Sequence, residues 1–128
     1  MTGVERPEDW VPVRSRPYQQ GVEWKRSILP LDLEAAYGCA VEVDDDYVWM
    51  RWTFDAADGD QVTCWKTYGC APTFALKWFR GGALILGLAG EPTKYGIDYE
   101  NDTFSFVLET GVCFAVKVWP SIIVGVVD

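Results

Sequence analysis

The chain has 128 residues, 49% of them apolar and 23% charged; that length fits one domain, and that apolar share is too high for a wholly disordered chain. It contains no histidine, which removes the commonest general base, the commonest metal ligand and the usual partner of a nucleophilic serine or cysteine. Its formal charge of -8 is uneven: residues 31 to 60 carry nine acidic side chains against one arginine, so the chain repels phosphate backbones and better suits a basic protein surface.

In chain order, residues 1 to 20 hold Pro7, Pro12 and Pro17, with Arg14 and Arg16 between the last two, and show neither helical nor strand period. They read as an extended arm. Charges and a proline stand where a secretory signal would run apolar, so no signal peptide is expected. From Gly21 short alternating runs bounded by turn residues begin, the pattern of a β-sandwich or barrel. Residues 22–29 read as a first strand closed by Pro30, and 31–38 as one helical turn with Asp32 as N-cap and Gly38 at its C-terminal end. Residues 39–43 form a second strand. The run YVWMRWTF at 47–54 puts Val48, Met50, Trp52 and Phe54 on a core face and Tyr47, Trp49, Arg51 and Thr53 on the other.

DAADGD at 55–60 then supplies turn chemistry, and 61–67 returns as the partner strand of a hairpin. Residues 73–79 bury Phe74, Leu76 and Trp78. After the turn Arg80-Gly81-Gly82, residues 83–88 are apolar on both faces and read as a central strand. The run 103–109 buries Phe104, Phe106 and Leu108, the run 112–119 buries Val112, Phe114, Val116 and Val118, and a last strand covers 121–127. The apolar runs at 81–90 and 121–127 are shorter than the ~18 residues of a membrane helix. About eight or nine strands result, so residues 21–128 are expected to form a single all-β domain, an antiparallel β-sandwich or partly closed barrel preceded by the arm.

Motifs for catalysis are missing: there is no G-x-S-x-G, no P-loop lysine, no G-x-G-x-x-G after a strand and no H-E-x-x-H. Cys39, Cys64, Cys70 and Cys113 form no CxxC pair and read as small apolar residues; a disulfide, most easily Cys64 to Cys70 or Cys39 to Cys113, is the alternative. The acids Asp44, Asp45 and Asp46 precede the strand at 47–54 while Asp55, Asp58 and Asp60 follow it, so they lie at opposite ends and make no single site. DAADGD resembles an incomplete calcium loop without its bidentate Glu, and a solvated hairpin tip is expected instead. In YGIDYEND at 95–102, Asp98, Glu100 and Asp102 line one face if the segment is extended, the pattern of surface acids rather than a glycosidase pair. Residues 61 to 90 are net basic with interleaved aromatics, but three cations hold phosphate weakly. No enzyme activity, cofactor, metal or nucleic-acid partner is therefore expected.

Tryptophan is the informative residue type, with seven in the chain. By alternation Trp49, with Tyr47 and Arg51, points away from the Trp52 face; Trp65 points away from Val62 and Cys64; and Trp119 points away from Phe114 and Val118. Large aromatics on the second face of a sheet cover another layer or meet a partner. A docking surface is expected from Tyr47, Trp49, Arg51, Trp65 and Trp119, from the adjoining acids Asp44, Asp45 and Asp46, and from Arg14 and Arg16 on the arm. Two rival functions remain: a small acidic inhibitor or anti-defence protein occupying a basic nucleic-acid-binding surface, and a β-barrel with an aromatic-lined cavity for a small ligand.

Several elements also stand in a familiar order: Gly21, Trp24 and Ile28 before the turn Leu31-Asp32-Leu33, the alternating Val41 and Val43, the run Tyr95, Ile97, Asp98 and Tyr99, and the closing Gly125-Val126-Val127. In that order they resemble the small β-sandwich domains of tailed bacteriophages, in the manner of the N-terminal domain of baseplate upper proteins. The resemblance implies a virion component of the baseplate, tail or head, found in the particle or the host cytoplasm. Its partners would be virion neighbours or copies of itself, with the arm reaching onto an adjacent subunit.

Overall fold

The computed structural model describes residues 22–46, 48–68 and 72–127. The elements are β1 (Val22–Lys25), α1 (Pro30–Tyr37), β2 (Val41–Val43), β3 (Trp49–Asp55), β4 (Gln61–Thr67), β5 (Phe74–Arg80), β6 (Ala83–Gly90), β7 (Pro92–Asp98), β8 (Thr103–Leu108), β9 (Cys113–Lys117) and β10 (Ile123–Val126). They form two antiparallel five-stranded sheets, ordered β1-β7-β8-β9-β10 and β2-β3-β4-β5-β6. The expected all-β sandwich is the fold. Each sheet is mostly a meander of consecutive hairpins, the cheapest pairing for a chain whose strands alternate apolar and polar residues.

The inward rows carry the apolar half of that alternation. Met50, Trp52 and Phe54 of β3, Val62 and Cys64 of β4, and Phe74, Leu76 and Trp78 of β5 are buried against Tyr95 and Ile97 of β7, Phe104 and Phe106 of β8, and Phe114 and Val116 of β9. Phe104 is the hub. Its ring centroid lies 5.9 Å from those of Trp52 and Phe54, 6.2 Å from Phe74 and 6.1 Å from Tyr95 and Phe106.

Helix α1 carries the chain from one sheet to the other. Pro30 stands at its first position, where a missing N–H costs nothing, and Gly38 ends it with φ 66°, its N–H donating to Glu34 O at 2.9 Å. Asp32 is not the N-cap. Leu29 takes that place because Pro30 sets the first turn, and the Asp32 carboxylate accepts the Leu29 N–H at 2.9 Å from inside the helix. Leu33 is buried, and the Tyr37 hydroxyl donates to Thr103 O at 2.6 Å while its ring meets Phe54 edge-on at 5.1 Å.

Several expectations change. Residues 83–88 do not form a central strand: β6 is the free edge of its sheet, where Leu84 is 56% and Ile85 44% exposed. A continuous apolar run does not distinguish a strand buried on both faces from an apolar edge. The first strand stops at Lys25 rather than 29, and Val48 lies before β3, exposed. Pro92 to Asp98 form a full strand, although Pro92 and Gly96 resemble turn residues; Gly96 is required because Trp24 of β1 pairs with it and a methyl group there would crowd the indole ring. That strand ends at Asp98, so Asp98, Glu100 and Asp102 share no face.

Candidate functional site

The outward face of the second sheet gathers most of the residues singled out by alternation. Because β2, β3, β4 and β5 are in register, Glu42, Arg51, Trp65 and Ala75 form one row across four strands, with Trp49 and Thr53 two residues along β3 on either side of Arg51. Trp49, Arg51 and Trp65 are each half-buried. The Arg51 guanidinium lies 6.0 Å from the centre of the Trp49 ring and its Nη2 donates to Glu42 Oε2 at 2.6 Å. The Lys77 ammonium stands 5.6 Å from the Trp65 ring. Each such cation–ring contact is worth about 0.5–1 kcal/mol at an exposed site, so the rings are held in place while one side of each still meets solvent. Beside them Thr53 and Thr63 share a hydrogen bond of 3.1 Å across the strand pair.

The acids adjoin this face at the β2–β3 end. Asp44 is half-buried, its backbone N–H donating to Trp49 O at 3.0 Å, and Asp45 and Asp46 are exposed. Trp119 is 52% exposed and lines an open cleft of about 240 Å³ with Tyr37, Cys39, Thr53, Asp55 and Asp102, which meets this face only through Thr53 and Asp55, at the end of β3 away from the Asp44–Asp46 loop. The structure therefore groups Trp49, Arg51 and Trp65 with Asp44, Asp45 and Asp46 and leaves Trp119 at the opposite end of β3. Tyr47, Arg14, Arg16 and Cys70 lie outside the described residues.

The β3–β4 turn is solvated at its tip, where Ala57, Asp58 and Gly59 are exposed, but the acid that follows them is not. Asp60 is only 3% exposed, accepting from Trp78 Nε1 at 3.1 Å and from Arg80 Nε and Nη2, each at 3.1 Å, while its own N–H donates to Asp58 Oδ1 at 3.0 Å. Its lone pairs are taken. Asp98 is likewise buried and accepts from the N–H groups of Glu100 and Asn101 and from Asn101 Nδ2, building the turn into β8. Among the described residues no group of acids and thiols is placed to hold a metal ion.

Cys39, Cys64 and Cys113 are free thiols, so neither proposed disulfide is present, and only Cys64 is fully buried. Burial pushes Cys39 and Cys113 up to about 11 and Cys64 well above its ordinary value. Thiols so shifted are protonated at neutral pH and make poor nucleophiles.

One charged residue escaped the sequence reading. Lys66 is 4% exposed on the inward face of β4, its Nζ 2.8 Å from Ser27 Oγ, 4.5 Å from the Tyr68 ring centre and 5.3 Å from that of Tyr95. No carboxylate among the described residues reaches it, and burial pulls its pKa down. The signal was available, since Lys66 follows Val62 and Cys64 in strict alternation and falls on the core face.

No family model, curated protein or solved structure matches the chain. Among the described residues no helix is long and apolar enough to cross a membrane.

Proposed function

We propose that the chain is a non-enzymatic interaction protein that docks onto other proteins through the outward face of its second sheet, around Trp49, Arg51 and Trp65, with Asp44, Asp45 and Asp46 at one border. The observation that carries this reading is the placement of two half-exposed tryptophans on the solvent side of a sheet whose inward side is already an aromatic core. Core packing does not require them there. Tryptophan and arginine are the residue types that dominate binding hot spots, because they offer large contact area for few rotatable bonds. The two deeply buried acids, Asp60 and Asp98, are committed to building turns, which fits a scaffold for binding better than an acid–base pair. A virion setting rests on the resemblance to phage β-sandwich domains; there the arm, with Arg14 and Arg16, would supply a second contact.

The test immobilises the full chain and compares what it retains from a lysate of its source cells with what the Trp49→Ala/Trp65→Ala variant retains. At least one protein should be held by the wild type and reduced tenfold or more on the variant, while near-UV circular dichroism shows the variant folded. Equal retention on both would refute the docking face.

A further inference from the structure

The two sheets end in four edges, and three of them are guarded against pairing with another chain. β2 is three residues long and carries Glu42; β1 is four residues long and carries Glu23 and Lys25, joined by an ion pair of 3.0 Å; β10 is four residues long. Short length and charge are the usual means of blunting an edge. β6 is different. It runs for eight residues, Ala83 to Gly90, without a charge, a polar side chain or a proline, and among the described residues it pairs with β5 alone. A bulge sets Ile85 out of register, because Trp78 pairs with Leu86 and Phe79 with Leu84; beyond it Leu86 to Gly90 continue regularly. Five residues of regular, uncharged, exposed-edge backbone remain.

We infer that β6 pairs antiparallel with β6 of a second copy of this chain, about a twofold axis at Leu88, joining two five-stranded sheets into one of ten strands. The inference extends the interaction reading from foreign proteins to the chain itself. Three observations select a second copy as the occupant. First, the segment is self-complementary: an axis at Leu88 sets Leu88 against its own copy and Leu86 against Gly90 on the inward face, and Gly87 against Ala89 on the outward face, so no bulky pair collides. Second, a charge that an incoming strand sets opposite the half-buried Leu86, Leu88 or Gly90 would be desolvated on the inward face, and β6 itself brings none. Third, the charge of -8 opposes association in general, yet this edge is the one farthest within its sheet from Glu42 and the Asp44–Asp46 loop, and Glu91, which follows Gly90, lies three residues from the axis, so its two copies would stand about 20 Å apart along the strands. β2, with Glu42 and the Asp44–Asp46 loop, lies at the opposite edge. Nine interstrand spacings would separate the two β2 strands, on the order of 40 Å, several times the ~8 Å screening length of physiological salt. Pairing through β2 would bring the same acids together.

Sedimentation equilibrium on the full chain over a concentration series reads the outcome. The wild type should reach twice the monomer mass. Gly87→Lys/Ala89→Lys sets lysines opposite each other across the axis twice, and should raise the dimer dissociation constant at least tenfold. Gly87→Glu/Ala89→Lys sets each lysine opposite a glutamate and should restore the dimer. Both positions are exposed and a side chain at 87 meets open space, so the variants are expected to fold; near-UV circular dichroism checks this. Gly87 pairs with Lys77 across the sheet, and should a second lysine placed beside Lys77 disturb the fold, Ala89→Lys alone replaces the first variant; its two lysines meet only diagonally across the axis, so a smaller but still measurable rise in the dissociation constant is expected. A wild type that stays monomeric, a dimer indifferent to the lysine variant, or a glutamate–lysine variant no better than the lysine one each overturns the inference. Trp49 and Trp65 lie on β3 and β4 and take no part in the β6 edge, so the Trp49→Ala/Trp65→Ala variant should sediment as the wild type does while losing its foreign partner, and the two readings fail separately.

Discussion

Asp60 and Lys66 are both charged and both buried, and the surroundings treat them in opposite ways. Asp60 has a guanidinium and an indole N–H to neutralise and satisfy it, whereas Lys66 has one hydroxyl and two aromatic faces. Ring faces and a single hydrogen bond return only part of the cost of removing an ammonium from water. Lys66→Met keeps the length of the side chain and discards the charge, so it should stabilise the fold by about 1 kcal/mol at pH 7. Its advantage is pH-dependent. Because burial lowers the Lys66 pKa in the folded state, the native chain releases that proton before the unfolded chain does, and wild-type stability rises with pH from the lowered value to about 10.4. The gain from Lys66→Met should therefore be largest at neutral and acidic pH and shrink toward pH 10. Urea denaturation of both proteins across that range measures it; a variant less stable than wild type at pH 7 would show that the ring contacts outweigh desolvation.

At the scale of elements, most of the fold was legible because alternation maps directly onto the faces of a sandwich. The inward rows of β3, β5 and β8 and the outward placement of Trp49 and Trp65 follow from it. What escaped was set by partners distant in sequence. β6 reads as a central strand since its apolar pattern holds no record of whether a sixth strand exists beside it. β7 was obscured by Pro92 and Gly96, and Gly96 makes sense only once Trp24 is seen across the pair. The α1 end was legible from Gly38 alone, and its φ of 66° gives a prediction. A methyl group there meets nothing within 4 Å, so Gly38→Ala is penalised by backbone conformation and not by packing. The expected loss is about 1 kcal/mol, and about half that for Gly38→Asn, which tolerates the left-handed region. Thermal or urea unfolding of the pair checks the ranking; equal losses would assign the effect to something other than φ. The candidate site was legible to the same degree as the fold: its tryptophans through alternation, but not the separation of Trp119, which depends on where the β9–β10 connection turns.

For the molecule as a whole, the question is whether two sheets joined mainly through side chains unfold as one body. Their strands do not hydrogen-bond between sheets among the described residues, so cooperativity rests on the aromatic layer, and within it on Phe104. That ring from the first sheet touches Trp52, Phe54 and Phe74 of the second, Tyr95 and Phe106 of its own, and Tyr37 of the connecting helix. Removing it opens a cavity bordered by six other rings, which are too rigid and too large to collapse into the space. Phe104→Ala should cost about 3–5 kcal/mol, and Phe104→Leu, which refills most of the volume, about 1 kcal/mol. The wild type should unfold in a single transition, because neither sheet keeps a covered inward face once the other has left. Far-UV circular dichroism reports all strands, and tryptophan fluorescence is weighted toward the buried Trp52 and Trp78 of the second sheet; in urea the two should give one midpoint. Midpoints that separate in the wild type would show that the sheets hold together independently. A Phe104→Ala loss under about 1 kcal/mol would show that the hub carries little of what joins them.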